Sequence, residues 1–190
     1  MSLFVPPHLE TPRLLLTWPT EEQVQGFYDA IVGTDMFDTI LWDGPERVSE
    51  LLEWWEQNRQ RDPEDSTLLL SLAIIERATG LCVGSAALRP RAAEPTTVII
   101  SYTMAPMAQG KGYATEAVKR LVDQAFWHRG VQHILGPVFV GNVASRRVLE
   151  KAEFQLDGTT PGALMKRGVS IDLWNLSLSR SRWELRGRHP

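Results

Sequence analysis

One cysteine in 190 residues, Cys82, leaves the chain without an internal disulfide. The four histidines show no metal-ligand spacing with it or with one another, so no metal is expected. Long apolar runs are missing too. No stretch approaches the roughly 18 apolar residues that a membrane span needs, and MSLFVPPHLETPRL lacks a signal-like apolar core; the expectation is a cytoplasmic protein with no membrane partner. There is no basic excess either: the formal net charge is −3, which argues against nucleic acid as a partner, because a phosphate backbone calls for a cationic footprint. No internal repeat or low-complexity tract is found. Cys82 itself lies in the apolar run LCVGSAAL, where a buried core thiol is expected rather than a nucleophile.

The content that remains, 43% hydrophobic and 23% charged, suits one globular domain over residues 1–190. Its charge is unevenly placed. Residues 20–65 carry thirteen acids against three arginines, whereas residues 106–151 carry seven bases against three acids. Solvated helix faces account for most of these charges singly. The asymmetry also fits a protein that holds an anion on one side and admits a cation on the other.

Residues 13–18 (RLLLTW) read as a first strand closed by Pro19. Thr20 with Gln23 is a capping-box signature, and Val24, Phe27, Tyr28 and Ile31 make a helical stripe that Gly33 stops. Residues 34–45 read as a loop; Val48, Leu51, Leu52 and Trp55 then mark a second helix that Asp43 or Glu46 is placed to cap. Runs 68–76 and 81–88 predict an antiparallel hairpin, and 96–104 a further strand. From Ala114 the residues Ala117, Val118, Leu121, Val122, Ala125 and Phe126 predict the best-defined helix, ending by Gly130. Residues 131–140 predict a strand, and 142–152 a short helix with Ala144, Val148, Leu149 and Ala152 inward. Strands at 154–157, 163–167 and 169–179 follow, the last two joined by a tight turn near Gly168. The tail at 180–190, RSRWELRGRHP, is expected to be loosely held.

The most informative stretch is SYTMAPMAQGKGYATEAV, a strand entering the strongest helix through a glycine-containing turn. A helix's first N–H groups lack internal partners and sit at the positive end of its dipole, so an anion is stabilised there. Gly110 and Gly112 clear the approach, and Lys111 adds a charge. An ordinary strand-to-helix turn would have the same local pattern.

Gln109, Gly112 and Ala114 match the Q/R-x-x-G-x-G/A pattern of the GNAT N-acetyltransferases, and NVASRRVLEKAEF from Asn142 to Phe154 is similar to that superfamily's second cofactor segment. The opening TPRLLL resembles the RimJ/RimL-like branch. The resemblance implies an α/β (α+β) fold with a mixed, largely antiparallel central sheet flanked by helices, whose splayed strands form a cleft for acetyl-CoA. It implies a coenzyme A diphosphate held by Gln109, Gly110, Lys111, Gly112, Tyr113, Ala114 and Thr115. It places Asn142, Ser145 and Arg146 against the same cofactor, and a backbone N–H near Met104 on the thioester carbonyl.

An amine acceptor attacking that thioester directly needs no covalent intermediate. The acidic residue that the family carries on the strand before the turn, in an E-I-G-Y pattern, is Ile99 here, which leaves the general base open; Asp43 is a substitute if it is not a cap. Superfamily members often place a tyrosine after the second motif's asparagine, but Tyr28, Tyr102 and Tyr113 all lie elsewhere. By resemblance Ser145 is then the acid for the leaving thiolate; a first-turn serine bonded to the backbone is the alternative. Glu153 stands where the family usually has glycine. Trp42, between the first two helices, is placed by resemblance at the acceptor entrance with Asp43 beside it, and the acidic stretch around it favours a cationic amine. Protein N-termini and small amines are both open as acceptors, as is a homodimer. A non-catalytic acyl-CoA-binding sensor is the competing reading, supported by Ile99.

Overall fold

The computed structural model describes residues 8–60, 70–91, 93–127 and 130–186. The start of the chain, positions 68–69 of the expected hairpin and the last four residues of the tail lie outside them. Eight described strands form one sheet: β1 (His8–Glu10), β2 (Leu14–Thr17), β3 (Leu70–Glu76), β4 (Cys82–Arg91), β5 (Glu94–Met104), β6 (His133–Phe139), β7 (Gln155–Lys166) and β8 (Val169–Ser179). Their order is β1-β2-β3-β4-β5-β6-β8-β7. Only β5 and β6 run parallel; every other neighbouring pair is antiparallel.

Helices cover both faces because alternate strand residues are apolar on both sides. Leu72 and Ile74 of β3 join a core with α3 (Tyr113–Trp127), through Ala117, Val118, Leu121 and Val122, and with Leu149 of α4 (Val143–Lys151). Ala73 and Ile75 face the other way, against Val24, Phe27 and Ile31 of α1 (Glu21–Ile31) and Leu51 and Trp55 of α2 (Val48–Gln60). Burying such side chains contributes about 1.5–3 kcal/mol each. Gly136 of β6 lets α4 lie close, since a Cβ there would come within 2.6 Å of Leu149 Cδ1. The Cys82 thiol is buried, and burial pushes it up to about 12.

The Thr20 capping box forms in full: Thr20 Oγ1 accepts from Gln23 N–H at 3.2 Å, and Gln23 Oε1 accepts from Thr20 N–H at 3.0 Å. Several expectations need correction. A strand, β1, precedes the one expected to be first. Asp43 does not cap α2; its carboxylate reaches Lys166 and Arg167 instead, and the Glu46 N–H is held by Glu50 Oε2 at 3.0 Å. Ala144 is exposed rather than inward. The two strands expected between 154 and 167 are one, β7, with register shifts at Leu156/Gly158 and Thr160/Leu164. The tail is not loose over its first seven residues. Arg180–Arg186 form a helix, α5, whose Trp183 Nε1 donates to Asp123 Oδ1 at 2.7 Å while its ring rests 5.4 Å from Phe126. Glu153 has φ +71°, the left-handed conformation that glycine adopts at lower cost.

Candidate active site

β5 pairs with β6 only from Thr97 to Ile99, opposite His133 to Leu135. Beyond that point β6 continues against β8 as far as Phe139, and β5 continues against β4 as far as Met104. The two parallel strands therefore part, leaving the outer edge of β5 from Ile100 to Met104 facing a gap. Ala105 N–H donates to Val83 O at 2.9 Å. Bonded and non-bonded pairs alternate along an antiparallel ladder, so the neighbouring Gly84–Met104 pair is non-bonded. The Met104 N–H thus points away from β4, into the gap, and so does that of Tyr102.

A turn follows β5. Gly110 and Gly112 take φ +74° and +81°, values that a Cβ would disfavour. Gln109 N–H bonds Pro106 O, and Glu116 N–H closes the first helical bond on Gly112 O at 3.1 Å. The amides of Gly110, Lys111, Gly112, Tyr113, Ala114 and Thr115 between them meet no acceptor among the described residues. Six consecutive open donors at the start of a 15-residue helix match the requirement for a diphosphate. The side chain of Gln109 has another task, donating to Met104 O at 3.2 Å and so tying the turn to the strand end.

Arg13, whose importance the sequence did not reveal, braces this turn. Its Nη1 donates to Lys111 O at 3.0 Å, its Nη2 pairs with Glu116 Oε2 at 2.6 Å, and its guanidinium lies over the Tyr113 ring at 4.7 Å. Thr11 Oγ1 adds a 2.6 Å bond to Glu116 Oε1. Burial alone would raise the Glu116 carboxyl, but the bonds from Thr11 and Arg13 outweigh it and hold the group below its ordinary value of 4.5. Tyr113 turns its hydroxyl to Glu76 Oε1, so at this position the main chain rather than the phenol faces the turn.

On the far side of the gap, Asn142 Oδ1 caps α4 by accepting from Ser145 N–H at 3.0 Å. Ser145 Oγ lies 2.9 Å from Tyr102 Oη, which is also 2.9 Å from Ser145 O. The carbonyl can only accept, so it takes the phenolic proton, and the serine proton is directed to the phenol oxygen. The Tyr102 hydroxyl is pushed up to about 12, by burial first and against the opposing bond from Ser145. A tyrosine thus does stand beside Ser145, contributed by β5 from 43 residues upstream. Arg146 has partners on α4 and β8. It pairs with Glu150 at 2.7 Å and stacks on Trp174 at 4.9 Å.

A cavity of about 450 Å³ lies between α1, α2 and the sheet. Trp42, Trp54 and Trp55 line it together with Ser101, Tyr102 and Thr103 of β5, and among the described residues its one charged lining residue is Glu50. Trp42 is 40% exposed and packs edge-on against Phe37 at 5.2 Å. Asp43 is drawn off by Lys166 Nζ at 2.7 Å and Arg167 Nε at 2.8 Å. The bond from Lys166 above all keeps its carboxyl below the ordinary range, which makes it a poor base. Among the described residues no cluster of side chains suits a metal, and no helix is long and apolar enough to cross a membrane.

Residues 13–155 match the family model for the acetyltransferase (GNAT) domain. The chain belongs to the GNAT acetyltransferases. It is 23% identical to the uncharacterized N-acetyltransferase YoaA of Bacillus subtilis, over 87% of this chain and 93% of YoaA. The fold of this GNAT protein is shared with an acetyltransferase (GNAT family) from Bacillus anthracis, at TM-score 0.79 and 17% identity, covering 92% of this chain and 99% of that one. It is shared as well with the microcin C7 self-immunity acetyltransferase MccE, solved in complex with acetyl-CoA and AMP, at TM-score 0.78 and 21% identity, covering 89% and 93%.

Proposed function

We propose that the protein is an acetyl-CoA-dependent N-acetyltransferase of the RimJ/RimL-like branch, which moves an acetyl group to a primary amine by direct attack on the thioester. The run of open amides from Gly110 to Thr115, directly beyond a β5 edge whose Met104 N–H faces a gap, carries this reading. The GNAT family match and the complex of MccE with acetyl-CoA support it. Acetyl-CoA supplies an activated acetyl group as a thioester.

The chain's own groups supply the rest. The open amides and the α3 dipole hold the diphosphate, and Lys111 adds one charge. Met104 N–H donates to the acyl carbonyl as negative charge develops there; a donor in this role is worth about 2.7–4 kcal/mol. Asn142 holds the pantetheine side of α4. Ser145 gives its proton to the leaving sulfur once its hydroxyl turns from the Tyr102 oxygen, and the proton that the attacking nitrogen sheds on acylation restores it. Glu50, the carboxylate of the cavity wall, receives the ammonium proton that must leave before the nitrogen attacks; it fills the role that Ile99 leaves vacant. Trp42 contacts the acceptor.

Calorimetry with coenzyme A and thiol release across an amine panel test this reading together. Saturable heat and amine-dependent thiol release are the expected results. No heat with coenzyme A would remove the reading altogether. Tight acetyl-CoA binding with no thiol release from any amine would leave the non-catalytic sensor, to which Ile99 points.

A further inference from the structure

The chemistry of the cavity wall restricts the acceptor further than amine identity. Phe27, Trp42, Trp54 and Trp55 bring four aromatic rings to a space of about 450 Å³, a size typical of sites that enclose a small molecule. Trp54 and Trp55 meet edge to face at 4.7 Å, and Phe37 fixes Trp42 from behind, so at least three of the indole and phenyl planes are held in set orientations. The polar groups on the wall are few. Ser85 and Thr103 satisfy each other at 2.9 Å, Ser71 and Ser101 add two more hydroxyls, and the lone charge among the described lining residues is Glu50. Glu50 is itself oriented: its Oε2 accepts from Glu46 N–H at 3.0 Å.

We propose that the acceptor is a small monoamine with a planar apolar body, its ring against Trp42 and Trp54 and its ammonium on Glu50. This rests on the acetyltransferase reading. A polyamine would place its second and third charges against indoles and aliphatic groups, with no further carboxylate among the described lining residues to receive them and offset the desolvation cost. An extended peptide would bring several main-chain donors and acceptors to a wall that is mostly ring and aliphatic carbon. A single ammonium on a flat apolar frame pairs with Glu50 and lays carbon against the rings, and the indoles add cation–π attraction to that of the carboxylate.

The test uses the full chain with tryptamine and 2-phenylethylamine, set against spermidine and a hexapeptide with a free serine N-terminus. With acetyl-CoA saturating, the aromatic amines are expected to show kcat/KM higher by about 100-fold, the discrimination that unpaired charges impose. Faster turnover of spermidine or of the peptide overturns the proposal. Trp42→Ala and Glu50→Gln are each expected to raise the tryptamine KM by about tenfold or more, with acetyl-CoA affinity unchanged. Glu50→Gln retains an oxygen for the Glu46 N–H, so loss of fold does not confound it. An unchanged tryptamine KM in both variants overturns the proposal too. Quenching of the indole fluorescence by 2-phenylethylamine gives a readout independent of turnover. Saturable quenching weakened by Glu50→Gln upholds the acceptor class even if no acetyl group moves; its absence sinks the class even if calorimetry shows coenzyme A bound.

Discussion

Tyr102 and Ser145 share two bonds of 2.9 Å, and removing either oxygen separates chemistry from packing. Ser145→Ala and Tyr102→Phe are each expected to lower kcat by about 10²-fold, with acetyl-CoA affinity unchanged; a Ser145→Ala enzyme with full kcat would discard the proton route. Burial keeps the phenol protonated to about 12, so the wild-type pH–rate profile should show no alkaline fall attributable to Tyr102 below that value. Glu116 gives a second test at this scale. Its carboxyl is held lower in the folded protein than its ordinary value of 4.5, so its stabilising effect is present above that value and lost as pH falls through the lower, folded one. Thermal melts of wild type and Glu116→Gln should therefore converge as pH drops below 4.5. The glycine turn, Asn142 and Ser145 were legible because they lie in short local patterns. Tyr102 and Arg13 were not, because what they touch lies far along the chain: Tyr102 meets Ser145 at a separation of 43 residues, and Arg13 meets Glu116 at a separation of 103.

Elements with a strong local period were read correctly. α1 has its cap written four residues wide, and α3 its stripe of six apolar residues. β1 was missed because three residues, one of them buried, carry too little period to see. α5 was missed because what holds it is Trp183 against Phe126, a contact that no seven-residue pattern announces. The β4–β5 ladder is the element with most influence on the site. Gly84 faces Met104 there, and a methyl group at Gly84 would collide with the Thr103 carbonyl, which is backbone and cannot rotate away. Gly84→Ala is expected to cost about 1–3 kcal/mol by denaturant titration. It should also lower kcat by more than it changes the amine KM, since the displaced group is the Met104 N–H. An effect on KM alone would mean that this amide lies outside the reaction.

Across the whole molecule, the β7–β8 end of the sheet reaches the segment that carries Trp42. Lys166 and Arg167, at the turn between β7 and β8, hold Asp43 and Asp38 of the segment between α1 and α2, and Lys166 also donates to Trp42 O at 3.4 Å. The Lys166 side chain is 5% exposed, so its hold on that segment is little screened by water. Lys166→Met should loosen the Trp42 wall and raise the amine KM by about tenfold while the coenzyme A heat signal stays as it was; equal losses of both affinities would indicate general unfolding instead. Global unfolding also has a chemical signature of its own. With its lone sulfhydryl sealed at the β3–β4 interface, the native chain should ignore disulfide reagents, so colour developed in a turnover assay counts product alone. The same reagent should register one equivalent per molecule once the sheet opens, a built-in tally of how many enzymes are still folded.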